Sequence, residues 1–301
     1  MCATRTLRAM TPPLLRSKLF VPGARPELFA KALTSHADAV SLDLEDAVAE
    51  PAKAMARQHV AAFVQSAQAQ HSRPLIIVRI NALDTPHFAD DVLATAINGV
   101  GMIHLPKCES RADALSAIAA LQQAEARNGV AEPIGLLVNI ETPRALRHAA
   151  AIAQAHPRVV GLQLGLGDLF EPLGIARHDP ANVHAALFAL RLAAAEAGVF
   201  CCDAAFTNVD DADGFRAEAQ MSQRLGYIGK TCIHPRQVAL ANSVYVVANE
   251  AIAQAQRVVA AAKIAAAQGR AAFVVDGRMI DPPFLRRAEA ILAAAQESSP
   301  R

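Results

Sequence analysis

Short runs of consecutive apolar residues recur eight times along the chain. They lie at residues 17–23 (SKLFVPG), 39–46 (AVSLDLED), 75–81 (LIIVRIN), 101–107 (GMIHLPK), 135–141 (GLLVNIE), 159–168 (VVGLQLGLGD), 198–206 (GVFCCDAAF) and 227–234 (YIGKTCIH). Unbroken apolar runs of this length, rich in branched side chains, read as parallel strands covered on both faces. Between them lie segments such as PELFAKALTSHA, RADALSAIAALQQAEARNG and DADGFRAEAQMSQRLG, with apolar residues at helical spacing and Gly or polar residues at their ends. Strand and helix alternating eight times predicts an α/β fold, the (β/α)8 TIM barrel, over residues 16–235. An open doubly wound sheet alternates in the same way. Against it, no GxGxxG follows the first run, and GLGD at 165–168 lacks the remaining glycine.

The pattern changes after residue 235. An Ala-rich stretch leads into AAFVVDGRMIDPPFLRRAEAIL, where Asp276-Gly277 between two apolar triplets reads as a hairpin turn and Pro282-Pro283 as a helix start. Residues 236–301 are therefore expected to form a C-terminal helix and lid segment. Residues 1–15 read as a flexible tail. Arg5, Arg8 and the following Arg16, with no acid among them, hint at a transit peptide, but the segment is short and broken by Pro12 and Pro13.

Composition narrows the function classes. The 301 residues are 53% hydrophobic, ample for a core, and 29 basic against 28 acidic residues leave a net charge of +1. No field of one sign is available to hold a nucleic acid or a membrane surface. Aromatic residues are 4% with no Trp, which argues against base stacking and an interfacial belt. No stretch approaches the roughly 20 uncharged apolar residues of a membrane span. Five cysteines without CxxC spacing, two of them adjacent at Cys201 and Cys202, fit reduced thiols and a cytoplasmic location.

In a parallel barrel the strand ends meet at one rim, where chemistry is expected. The candidates there are Asp43, Glu45 and Asp46 on the second run, Arg79 and Asn81 on the third, Lys107 on the fourth, Glu141 on the fifth and Asp168 on the sixth. Any one alone reads equally as a helix cap or a rim salt bridge. Glu141 and Asp168 are hard oxygen ligands that suit Mg2+ or Mn2+, with positions left for water and a chelating 2-keto acid. A pair of rim acids without metal is the alternative. Arg79 is placed to neutralise a substrate carboxylate or a developing enolate, or to pair with Glu45 or Asp46. Strand alternation directs Asp43 and Glu45 to one face and Asp46 to the other, so at least one of these acids is expected to be structural. His104 reads as a core histidine and His234 as a turn anchor or a binding group. Ser17 and Ser41 have no His at readable spacing and no GxSxG occurs, so a catalytic triad is not expected.

These residues carry a resemblance. RSKLFVPGARPELFAKAL, AVSLDLEDAV followed by Lys53, VRIN, LPKCES, NIETPRAL, GLGDL, GKTCIHPRQV and DGRMIDPP follow one another in order from Arg16 nearly to the C-terminus. The chain thereby resembles the citrate lyase β-subunit-like CoA-ester lyases of the HpcH/HpaI aldolase superfamily, which include malyl-CoA and citramalyl-CoA lyases. The resemblance implies that Glu141 and Asp168 hold Mg2+ and that Arg79 faces the thioester and hydroxyl oxygens. It also implies a homotrimer or dimer of trimers, in which the C-terminal segment covers a neighbour's site and supplies Asp281 as proton carrier; a merely structural cap is the alternative. Arg16, Arg25, Glu45, Asp46, Lys53, Lys107 and His234 are the candidates for contacts with substrate and CoA.

The sequence departs from the commonest family pattern at three places. Leu166-Gly167 precede Asp168 where an acid often stands directly before it, Lys18 replaces a bulky apolar residue, and Asn208 stands where an acid often lies. These changes spare the metal pair and bear on the substrate pocket. The implied reaction is retro-Claisen cleavage of citramalyl-CoA or malyl-CoA to acetyl-CoA and a 2-keto acid. The alternatives are a citrate lyase β subunit acting on a citryl group held by an acyl carrier protein, a metal-dependent aldolase of free 2-keto acids, and a non-catalytic scaffold.

Overall fold

A computed structural model describes residues 13–298. Eight parallel strands close into a barrel in sequence order: β1 (Ser17–Pro22), β2 (Ala39–Asp43), β3 (Leu75–Arg79), β4 (Met102–Leu105), β5 (Gly135–Ile140), β6 (Val159–Leu164), β7 (Phe200–Asp203) and β8 (Gly229–Cys232). β1 pairs with both β2 and β8, which completes the ring. Helices alternate with the strands, so the closed (β/α)8 barrel replaces the open-sheet alternative.

Side chains alternate across each strand. Leu19, Val21, Val40, Leu42, Ile76, Val78, Ile103, Leu105, Val138, Ile140 and Leu162 pack outward into the main core beneath the helices, each stabilising the fold by about 1.5–3 kcal/mol when fully buried. Inside, Ala39, Ile77, Met102, Leu137, Phe200 and Cys202 form a second apolar cluster at the N-terminal end, joined by Leu15. Leu15 is 1% exposed and the Arg16 carbonyl accepts from Lys230 N, so the chain is already fixed before Arg16. Arg5, Arg8 and the rest of the expected tail through Pro12 lie outside the described residues. Toward the C-terminal ends the interior becomes polar, with Lys18, Ser41, His104, Asn139, Gln163 and Thr231 all buried.

Two compact units divide at Tyr245/Val246, ten residues later than the sequence pattern placed the boundary. The helix Pro235–Val244 packs against β1, β8 and the helix Ala212–Arg224, so it completes the barrel layer rather than opening the appendage. The second unit packs helix Asn249–Ala267 against helix Pro282–Ser298, beside a hairpin of β9 (Phe273–Val275) and β10 (Arg278–Ile280). Asp276 (φ 51°) and Gly277 (φ 75°) make its two-residue turn, as expected of Asp-Gly. No described helix is long and apolar enough to cross a membrane.

Candidate active site

Register brings Arg79 beside Asp43, because β2 and β3 pair in parallel with these two residues opposite. The guanidinium then makes a two-pronged bond to Asp43, Nε to Oδ1 at 2.7 Å and Nη2 to Oδ2 at 2.6 Å. Nη1 lies 3.0 Å from Asp46 Oδ2 and 2.8 Å from Glu45 Oε2. Three carboxylates thus surround one arginine and raise its already high pKa against the opposing effect of burial. β2 ends at Asp43 and the chain turns there, which breaks the alternation expected of the following residues and lets both Glu45 and Asp46 reach Arg79. Asp43 also accepts from the backbone N–H groups of Glu45 and Ala47, and so builds the turn that carries the other two acids. Burial pushes Glu45 up to about 7 despite Arg79.

Glu141 follows β5 directly. Thr142 caps the next helix through its hydroxyl, which accepts from Ala145 N at 3.0 Å, and Pro143 occupies the first turn, so NIETP is strand, acid, cap and helix start in five residues. Glu141 Oε1 accepts from Lys107 N at 2.5 Å and Oε2 from Asn139 Nδ2. Asp168 does not end a strand: β6 stops at Leu164, and Asp168 sits in the first turn of a short helix, Leu166–Phe170. Gly165 lets this turn close on the glutamate, since a Cβ there would stand 2.6 Å from Glu141 Cβ and 2.8 Å from its Oε2. Burial pushes Glu141 up to about 8, the Lys107 N–H opposing and Glu45 and Asp168 adding to the rise. Carboxylates crowded this way are suited to a hard divalent cation, which would remove their mutual repulsion. Among the described residues no cluster of three or more His, Cys, Asp or Glu forms a complete metal cage. Two carboxylates with room for water and substrate fit Mg2+, which keeps part of its hydration shell.

Glu141, Asp168, Arg79, Asp43 and Asp46 line one cavity of about 580 Å3 at the C-terminal ends of the strands. Phe20, Asn139, Gln163, Thr231 and Arg177 line it as well; the first four lie within the apolar runs and motifs without being candidates themselves, and Arg177 lies outside all of them. Gln163 and Thr231 are inward positions of period-two strands, a signal that was available; Arg177 sits in a loop and has none. Asn139 Oδ1, Gln163 Oε1 and Thr231 Oγ1 are buried without a hydrogen bond among the described residues, so the cavity floor is polar.

The other sequence candidates make the following contacts. Arg16 precedes β1 at the opposite, N-terminal end of the barrel, where its backbone and guanidinium bind Asp38; the strand direction removes it from this cavity. Lys53 Nζ donates to the carbonyls of Leu44 and Glu45, both at 3.0 Å, and braces the acidic turn from behind rather than facing a ligand. Asn81 likewise binds Leu44 O and Asp91. Lys107 is half-exposed, has φ 50° and places Nζ 3.2 Å from Glu45. Arg25, after β1, is exposed and pairs with Glu27. His234 caps the helix Pro235–Val244, its Nδ1 accepting from Arg236 N. Asp281 follows β10 in the second unit. Four cysteines, Cys108, Cys201, Cys202 and Cys232, are buried free thiols.

Lys18 is fully buried inside the barrel, with Nζ 3.4 Å from His104 Nδ1 on β4 and 4.4 Å from the centre of the Phe20 ring. Burial lowers its pKa from 10.5 to about 7, with Arg79 adding to the fall. Between those values the unfolded chain binds the extra proton, so this lysine's contribution to stability becomes more favourable as pH rises from about 7 to 10.5. Lys18→Met should raise stability by a few kcal/mol, of the order seen when buried ionic groups give way to apolar ones, and flatten that pH slope. Denaturant titrations of both proteins at pH 7 and 9.5 check this; an unaltered slope in the variant would contradict it.

Residues 16–235 match the profile of the family described as HpcH/HpaI aldolase/citrate lyase. The chain belongs to this family. Within it, the chain is 35% identical to the L-malyl-CoA/beta-methylmalyl-CoA lyase of Cereibacter sphaeroides, over 93% of this chain and 94% of the relative. It is 34% identical to the citrate lyase subunit beta of Leuconostoc mesenteroides subsp. cremoris, over 94% and 93% of the two chains. Among solved structures, CitE from Mycobacterium tuberculosis in complex with magnesium, acetoacetate and coenzyme A is 33% identical, with a TM-score of 0.72 over 96% of this chain and all of that one.

Proposed function

We propose that this family member is a Mg2+-dependent carbon–carbon lyase, cleaving a 3-hydroxyacyl-CoA such as citramalyl-CoA or malyl-CoA to acetyl-CoA and a 2-keto acid. The observation that carries the reading is the convergence of Glu141, Asp168 and a rigidly held Arg79 on one polar cavity at the strand ends. The magnesium, acetoacetate and coenzyme A bound by the M. tuberculosis relative support it.

Glu141 and Asp168 would hold the ion, which when bound supplies Lewis-acid charge to the oxygens of the keto-acid half. Arg79 needs no reorganisation to act, because Asp43 fixes it from the side. Its Nη2 keeps one N–H that these acids do not take, available to the thioester oxygen where negative charge develops. In the cleavage direction the substrate hydroxyl gives up its proton to solvent as the C–C bond breaks, and Asp281 of the partner subunit, in its protonated form, is proposed to deliver a proton to the enolate carbon that becomes the methyl group; in the condensing direction the carboxylate removes that proton. Exposed Val274, Met279 and Phe284 in the second unit favour burial against another chain, as a homotrimer or dimer of trimers would provide. The buried free thiols favour a cytoplasmic location.

A citrate lyase β subunit is the second reading, favoured by the 34% identity to the Leuconostoc protein. Calorimetry with free CoA and Mg2+ separates the lyase of free thioesters from an aldolase of free keto acids. Saturable CoA binding is expected; its absence removes the thioester reading, and co-purification with an acyl carrier protein would favour the citrate lyase one.

A further inference from the structure

Arg177 is the second guanidinium of the cavity. It lies in the loop between the short helix after β6 and the helix Pro180–Ala197, and its side chain is 16% exposed. Glu218 grips its far edge, Oε2 at 2.7 Å from Nη1 and Oε1 at 2.9 Å from Nη2, and the Ala205 carbonyl takes a second Nη2 hydrogen at 3.0 Å. That leaves Nε–H and one Nη1–H without a partner among the described residues.

The support behind Arg177 is rigid. Glu218 is buried and also accepts from Lys230 Nζ at 2.8 Å, and Lys230, fully buried, donates to Asp203 at 2.7 Å and to Ala204 O at 3.1 Å. This row of two cations and two carboxylates, on the β7–β8 side of the cavity, is balanced within itself. The opposite wall is not: there Arg79 is paired with Asp43 and Asp46, and Glu141 and Asp168 line the same cavity. Even with a divalent cation held by Glu141 and Asp168, that wall keeps an excess of negative charge and offers an entering carboxylate no spare cation. Arg177 offers it a preorganised cation with unused donors, and a guanidinium matches carboxylate oxygen better than any other side chain lining the space.

We propose that Arg177 is a substrate-binding residue that takes a carboxylate oxygen of the keto-acid half, an assignment that rests on the lyase reading. Arg79 is then left to the thioester half, so the two guanidiniums divide the substrate between them. Glu218 and Lys230 are positioning residues that hold Arg177 in place.

Calorimetric titrations with pyruvate and, separately, with CoA, both in excess Mg2+, test this on the full chain and on Arg177→Lys and Arg177→Gln. The lysine variant keeps a cation beside Glu218 and guards against a collapse of the buried row. Loss of one charge-assisted hydrogen bond should raise the Kd for pyruvate roughly ten- to hundredfold while the Kd for CoA stays within about twofold. Weakened CoA binding with pyruvate unchanged would show that Arg177 serves the CoA phosphates, and equal weakening of both would show a structural role; either overturns the proposal. Unchanged affinities in both variants overturn it as well. An unaltered protein that bound neither ligand would overturn the lyase reading together with the assignment.

Discussion

Replacing Asp168 by asparagine or Glu141 by glutamine should lower turnover by roughly three orders of magnitude or more, since a bound cation supplies several kcal/mol of transition-state charge stabilisation and each 1.36 kcal/mol is tenfold in rate. The same change should not cost stability. Glu141 is buried, pushed up to about 8, and the neighbouring charges of Glu45 and Asp168 work against its ionisation. A neutral amide of the same shape relieves that repulsion and still accepts from Lys107 N, and its NH2 can donate to Asn139 once that side chain turns its unpartnered Oδ1 toward it. Activity therefore falls while the thermal midpoint holds or rises, a separation characteristic of a site whose charges serve ligand binding at the expense of the fold. Steady-state rates and melting curves of both variants check it. A variant that keeps its rate, or one that loses rate only because it unfolds, would contradict the metal assignment.

Arg79→Ala should behave differently, because its effects fall on both rate and stability. Loss of a preorganised donor costs about 3–4 kcal/mol of transition-state stabilisation, two to three orders of magnitude in kcat. The deletion also leaves Asp43, Glu45 and Asp46 facing one another, with Asp43 almost wholly buried. Removing one partner of a buried ion pair costs about 3–5 kcal/mol, so the alanine variant should also melt earlier. Arg79→Lys keeps the charge but cannot reproduce the two-pronged bond to Asp43, and should recover stability further than it recovers rate. Near-normal turnover in the alanine variant would remove Arg79 from the chemistry.

Much of this architecture is written in local pattern. Eight apolar runs with helical segments between them determine the barrel, and parallel strands in turn place Asp43, Arg79 and Glu141 at one rim. Asp-Gly at 276–277 determines its own turn. What pattern could not supply depends on where strands stop. β2 ends at Asp43 and the following turn swings Glu45 and Asp46 onto the same arginine, against the alternation of an extended chain. Asp168 reaches the cavity from a helix turn permitted by Gly165, a close approach visible only once β5 and β6 are side by side. Charge on a residue says little about which end of the barrel it occupies. Arg16 is bound to Asp38 at the wrong end, Lys53 is spent on two backbone carbonyls, and Arg177, in a loop without periodicity, enters the cavity because Glu218 holds it there.

The activity proposed for this cavity is Mg2+-dependent cleavage of a CoA thioester. Its most direct test is to incubate the purified protein with malyl-CoA, citramalyl-CoA and citryl-CoA in turn, with Mg2+ and again with excess EDTA, while following keto-acid release. Release from at least one thioester with Mg2+, abolished by EDTA and restored by added Mg2+, is the expected result. No keto acid from any of the three, or release that EDTA leaves unchanged, would contradict the account.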